Sequence, residues 1–278
     1  MAIKTFKELT DYLHQLRPHK RVGVVAPSDE ATQKALQWAE QENIIRPFVF
    51  DDSDPSIASQ KAVAAARRGE IDILMKGFVN TDVLLKAILN KETGILKPGK
   101  VLTHIAVAEL KNYHKLLFFT DSAVIPCPTQ EQREVQVGYI AEFCRHFEIE
   151  QPKISLIHCS EKVDERHFPY TAGYETIKAK AAAGAFGSCI VDGPLDLKTS
   201  CSAYSLAVKH IPSPIAGDAD ALVFPDIEAG NLFYKTITLF SEARTAGVLQ
   251  GTDVPVVLPS RADEPENKYL SLCTACLL

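Results

Sequence analysis

A serine and an arginine stand together at the end of an apolar run, Pro255-Val256-Val257-Leu258-Pro259-Ser260-Arg261. The hydroxyl is a hydrogen-bond donor, and the guanidinium is a planar fork that can grip a phosphate through two bonds. A helix starting just beyond them would turn the N–H groups of its first turn toward the same anion. Asp263 and Glu266 follow at the three-residue spacing of a capping box, so Asp263 is expected to cap that helix. Either carboxylate is also a candidate for moving a proton.

A second set begins at Lys76-Gly77, where a short apolar run ends. Gly77 permits backbone angles closed to other residues beside a ligand. Thr81 and Lys86 lie five apart, so one helix would carry the hydroxyl in its first turn and the ammonium more than a turn later. The plainer reading makes Lys86 a solvated surface residue. A third set runs through Gly217-Asp218-Ala219-Asp220, Asp226, Glu228, Gly230 and Asn231. Its acidic groups are suited either to holding a base or to capping the next helix and pairing with Lys235.

Other chemistries lack their usual marks. His104, His114, His158 and His167 have no metal-ligand spacing. There is no G-x-S-x-G elbow, no phosphate-binding G-x-x-x-x-G-K-[ST] and no G-x-G-x-x-G. The seven cysteines are scattered, and Cys273 and Cys276 read as two residues of the last helix rather than as a zinc or redox pair. No metal and no resident cofactor are expected. No cysteine is paired with a base in the sequence, which argues against a covalent route through a thiol.

The frame that must position these residues is α/β. The chain has 278 residues, 46% hydrophobic and 23% charged, enough to bury a core unaided. A net charge of -5 without a Lys/Arg stripe argues against a nucleic-acid surface. No apolar run is long enough for a membrane span, and MAIKTFKELTDYLHQLRPHK has no signal-like core, so a cytoplasmic location is expected.

Strands are expected at 21–26, 47–50, 71–75, 101–107, 115–119, 154–158, 188–191, 221–224 and 255–258. Helices fall between them, among them 28–43, 130–147, 170–183 and 228–241, with Asp54-Pro55 opening another. This alternation implies a mostly parallel sheet with helices on both faces. Pro126-Cys127-Pro128 interrupts the pattern like a seam.

Five blocks carry a resemblance: Leu74-Met75-Lys76-Gly77 with Thr81, Glu161-Lys162-Val163, Val191 to Leu195, Gly217-Asp218-Ala219-Asp220 through Tyr234-Lys235, and Pro255 to Asp263. In this order the chain resembles the phosphate acetyl/butyryltransferases, closest to phosphate butyryltransferase. The resemblance implies two three-layer α/β domains with an interdomain cleft, like isocitrate and isopropylmalate dehydrogenases. The first would hold 1–125 plus 242–278 and the second 126–241. It implies a homodimer or larger homo-oligomer, with acyl-CoA and inorganic phosphate as substrates.

The expected reaction is a reversible, short-chain, butyryl-like acyl transfer between coenzyme A and phosphate. The other readings are a non-catalytic relative that binds acyl-CoA or phosphate, and a decarboxylating dehydrogenase of the same architecture. The acetyl branch has a Ser-Arg pair at the matching position, so Ser260 and Arg261 become catalytic candidates with Asp263 and Glu266. Lys76, Gly77, Thr81, Lys86, Asp226, Glu228 and Asn231 become substrate-binding candidates. That branch has arginine where Lys86 stands. It also places an aspartate seven residues after the serine, where this chain has Asn267, so the identity of the base stays open.

Overall fold

A computed structural model of the chain describes residues 2–278. By compactness it divides into two units, one formed mainly by Thr103–Ala243 and the other by Thr5–Leu102 with Arg244–Leu278.

The second of these units starts with α1 (Phe6–Leu16), β1 (Lys20–Val25), α2 (Glu30–Gln41), β2 (Ile45–Phe50), α3 (Pro55–Arg67), β3 (Ile73–Lys76) and α4 (Thr81–Ile88). Each of the first three helices has a side-chain cap. Thr5 accepts from the Glu8 N–H, Asp29 from Thr32 and Asp54 from Ser56, with Pro55 at the first helical position. The cap at Asp29 starts α2 later than the expected position after Pro27-Ser28.

The other unit contains β4 (Thr103–Glu109), β5 (Leu117–Thr120), α5 (Gln130–His146), β6 (Lys153–Ile157), α6 (Ala172–Ala182), β7 (Ile190–Leu195), α7 (Leu197–Cys201), α8 (Ala203–Val208), β8 (Ala221–Val223) and α9 (Ile227–Phe240). Pro126-Cys127-Pro128 leads from β5 into α5 within this unit. The chain then returns to the Thr5–Leu102 unit with β9 (Arg244–Gln250), β10 (Val256–Val257) and α10 (Pro265–Leu277). Strand β9 was not anticipated. Its Arg-Thr-Ala-Gly start lacks the apolar run that marks the other strands.

The strand order is β2-β1-β3-β10-β9 in one unit and β4-β5-β8-β6-β7 in the other. Among the named strands of the described residues, β10–β9 and β4–β5 pair antiparallel; the other pairs within the two units run parallel. The chain therefore has the mixed α/β fold with a mostly parallel sheet that its alternating pattern implies. Strands β3, β5 and β8 are buried along their whole length, as strands covered on both faces must be.

Adjacent residues of β5 show where its helices lie. Phe118 meets Phe143 and Phe147 from the α5 side, whereas Phe119 meets Phe224 and, from α9, Phe233. Neighbouring residues of a strand point to opposite faces, so α5 and α9 cover opposite sides of this sheet.

Candidate active site

Parallel pairing of Leu74 with Val256 and Met75 with Val257 puts the C-terminal ends of β3 and β10 next to each other. Lys76 and the 258–261 turn leave the sheet there, where parallel α/β folds carry their ligands. The end of β1 comes close as well. The Gly77 and Phe78 N–H groups donate to the Val25 and Ala26 carbonyls at 2.9 and 2.7 Å. A Cβ on Gly77 would collide with both carbonyl oxygens, so this glycine serves close backbone approach rather than an unusual backbone angle.

Lys76 is only 3% exposed. Its Nζ reaches the Gly77 and Val79 carbonyls at 3.5 and 3.4 Å, the long limit of a hydrogen bond. Burial, followed by the charges of Lys268 and Arg261, pushes its pKa below the usual lysine range, while Asp29 and Asp263 pull the other way.

Lys268 was not among the sequence candidates. It is 2% exposed on α10, and its Nζ donates to Asp29 Oδ1 at 3.0 Å and Thr32 Oγ1 at 3.1 Å. The available signal was its place one helical turn before the buried Leu272, because a lysine in a core stripe needs a partner. Asp29 accepts from Thr32 N as well, and its Oδ2 is buried without a hydrogen-bond partner. Burial opposes its charge, but the bonds from Thr32 and Lys268 bring its pKa below the usual value.

Arg261 is exposed. Its guanidinium lies 5.1 Å from the centre of the Phe78 ring and donates to Asn80 Oδ1. Asn80 is the N-cap residue of α4 but makes no side-chain cap bond, so that helix start keeps donors for an anion. Thr81 and Lys86 are both exposed on α4, in its first and last turns.

Asp263 does not cap α10, contrary to expectation. The cap residue is Glu264, and Pro265 starts the helix. Asp263 Oδ2 instead accepts from the Ser260 N–H at 2.7 Å, and Asp263 N donates to the Ser260 carbonyl at 3.2 Å, closing a tight loop around the serine. Glu266 is exposed and pairs with Arg244 at 3.3 Å. Asn267 Oδ1 accepts from Thr245 N at 3.0 Å, so that side chain ties α10 to β9.

Lys76, Lys268 and Arg261 thus share one electrostatic neighbourhood with Asp29 and Asp263. Three cations face two carboxylates, and the surplus positive charge is suited to an anion.

Asp226, Glu228 and Asn231 belong to the other unit. Asp226 caps α9 by accepting from Ala229 N at 2.8 Å; Glu228 is exposed. Asn231 Nδ2 donates to the Ser122 carbonyl at 2.9 Å, and a Cβ on Gly230 would strike the Asp121 carbonyl, so α9 lies tightly on the loop after β5. Buried Asp121 holds this loop by accepting from Thr103 Oγ1 at 2.8 Å and from the N–H groups of Ala123, Val124 and Ile125. Asp218 and Asp220, at the opposite end of β8, pair with Lys115 and Lys153 rather than Lys235.

Residues 19–275 match the family described as Phosphate acetyl/butaryl transferase. The chain belongs to this family. It is 32% identical to the phosphate butyryltransferase of Clostridium beijerinckii over 99% of this chain and 98% of that protein. It is 31% identical to the phosphate acetyltransferase of Thermotoga maritima over 93% of this chain and 95% of that one. The crystal structure of a branched-chain phosphotransacylase from Enterococcus faecalis V583 superposes with a TM-score of 0.84 at 31% identity, covering 93% of this chain and 98% of that one. This family member carries no helix, among its described residues, long and apolar enough to cross a membrane.

Proposed function

We propose that this protein transfers a short-chain, butyryl-like acyl group reversibly between coenzyme A and inorganic phosphate, as the names of its relatives suggest. It is an acyltransferase of the phosphate acetyl/butyryl class. The observation that carries the reading is the surplus positive charge around Lys76, Lys268 and Arg261 where β3 and β10 end.

Transfer proceeds directly, with phosphate oxygen attacking the thioester carbonyl while both substrates are bound. Arg261 grips phosphate, with Lys76 as its buried helper and Lys86 and Thr81 at the rim. Ser260 and nearby backbone N–H groups stabilise the oxyanion that develops on the carbonyl. Asp263 handles the thiol proton, because Glu266 is engaged with Arg244 on the surface and Asn267 has no basic group. Asp226, Glu228 and Asn231 serve substrate binding from the α9 side. No metal or resident cofactor takes part.

The two compact units are read as the two α/β domains of an isocitrate dehydrogenase-like architecture, with the substrates meeting in the cleft. The enzyme works in the cytoplasm as a homodimer or larger homo-oligomer. In support of assembly, α9 leaves Leu232, Leu239 and Phe240 at least 69% exposed.

The test is release of coenzyme A from butyryl-CoA by the full chain, followed with a thiol reagent and without metal or nicotinamide. Release that requires phosphate supports the reading. Coenzyme A binding without turnover overturns it.

A further inference from the structure

A second reactive arrangement stands at the end of β6. His158 follows the strand directly, and its N–H donates to the Leu195 carbonyl of β7 at 2.9 Å. Its ring is buried beneath Phe168 and Tyr170, at centroid distances of 4.7 and 5.7 Å. Nδ1 is 2.8 Å from the Tyr170 hydroxyl, and Nε2 is 3.7 Å from the Sγ of Cys159. Cys159 itself is exposed. Tyr170 is also steadied by the buried Arg133, whose guanidinium lies 5.4 Å from the ring centre and is anchored to the Phe224 and Pro225 carbonyls.

The three groups form a chain from thiol to imidazole to phenol. With Nδ1–H donating to the Tyr170 oxygen, Nε2 is left as the acceptor that faces the thiol. When the thiol proton moves to Nε2, the ring becomes an imidazolium that donates to the phenol on one side and to the thiolate on the other. A nucleophile, a base and a group that orients the base are the parts a reactive cysteine requires. Burial lowers the pKa of His158, so the ring rests neutral and keeps one nitrogen unprotonated.

We propose that Cys159, in a step separate from the direct transfer to phosphate, is a nucleophilic thiol that takes an acyl group from acyl-CoA, with His158 as its base and Tyr170 as the positioning residue. The choice of electrophile rests on the proposed function, which places activated thioesters on this protein. The Cys159 sulfur attacks the thioester carbonyl carbon, and its new bond forms as the bond from that carbon to the coenzyme A sulfur breaks. The Cys159 proton passes to His158 Nε2 and then to the departing coenzyme A thiolate. One thioester and one thiol are consumed, and one of each is formed, with no change of oxidation state.

The experiment incubates the full chain with butyryl-CoA in the absence of phosphate, followed by intact-mass measurement and peptide mapping. One butyryl group on Cys159, removed by neutral hydroxylamine and matched by free coenzyme A, is the expected result. Cys127, the other exposed cysteine, is the internal comparison and stays unmodified. Cys159→Ser abolishes the label, and His158→Gln slows it by about a hundredfold, as loss of a positioned base does. Iodoacetamide, which needs no acyl-CoA recognition, alkylates Cys159 ahead of Cys127.

Phosphate-dependent turnover is read on parallel aliquots of the same protein to which phosphate is added. Turnover without butyryl on Cys159, or equal labelling of Cys127 and Cys159, overturns the inference. Labelling of Cys159 without turnover supports it and overturns the proposed function instead.

Discussion

Two charged clusters in this chain meet burial in opposite ways. In the Thr103–Ala243 unit, Lys115 reaches Asp218 and Asp220 at 2.9 and 2.6 Å, and Lys153 reaches Asp218 at 2.9 Å. Two ammonium groups face two carboxylates, so this cluster is balanced. Burial opposes the charge of Asp218, yet the bonds from Lys153 and Lys115 hold its pKa below the usual range. Around Lys76, three cations face two carboxylates, and the buried Lys76 ammonium has only long contacts with carbonyls. A balanced cluster ties strands together. An unbalanced one is costly to leave empty and cheap to fill with an anion.

Variants that hit one cluster and spare the other test this contrast. The largest effect is expected from Lys115→Ala, which strips two carboxylates of their shared ammonium. Urea unfolding should show a loss of about 3–5 kcal/mol, while the phosphate KM of the folded fraction stays unchanged. A change in phosphate KM would break the distinction.

Arg261→Ala is the mirror case. It should lower kcat/KM by about 2.7–4 kcal/mol of transition-state stabilisation, while stability moves by no more than about 0.5 kcal/mol. Unaltered phosphate kinetics would falsify the role given to this residue.

The third test is a pH profile in the alkaline range, where inorganic phosphate is already a dianion. Because its pKa is lowered, Lys76 gives up its proton at a lower pH than an ordinary lysine. Arg261 stays charged throughout. The phosphate KM should therefore climb as pH rises through the Lys76 transition, by at most about tenfold per pH unit. In Lys76→Met the KM should start high and stay flat over the same range. A climb that survives in Lys76→Met would assign the titration to another group.

The smallest effect is expected from Asn267→Asp, which restores the residue type of the acetyl branch. That side chain is bound to Thr245 N, so kcat should stay within about twofold, which corresponds to less than 0.5 kcal/mol. A large gain would mean that the α10 start can bring position 267 to the reacting atoms.

The sequence made the architecture legible because strand and helix periods differ and alternate along the chain. Residues next to strand ends were legible for the same reason: Lys76 and the Ser260-Arg261 pair stand out as polar groups closing apolar runs. Partnerships across the sheet were not. Lys268 meets Asp29 across 239 positions, and neither residue's neighbours announce the other. The capping-box spacing of Asp263 and Glu266 pointed to a cap one residue too early, because the local pattern does not register the pull of the Ser260 N–H. No base was expected beside any cysteine, and it is the burial of the His158 ring under Phe168 and Tyr170 that turns it toward the Cys159 sulfur.

Strand β10 lies between β3 and β9, although 179 positions separate Lys76 from Pro255. A ribosome that has produced β1, β2 and β3 has not yet produced the strand that covers β3. For most of synthesis the Ile-Leu-Met run presents bare backbone donors and acceptors that invite pairing with another nascent chain. The proposed anion grip therefore assembles last, when the closing strand slots into the middle of the sheet and brings Ser260 and Arg261 with it. The end of chaperone demand and the onset of catalysis should consequently arrive within the same few dozen codons.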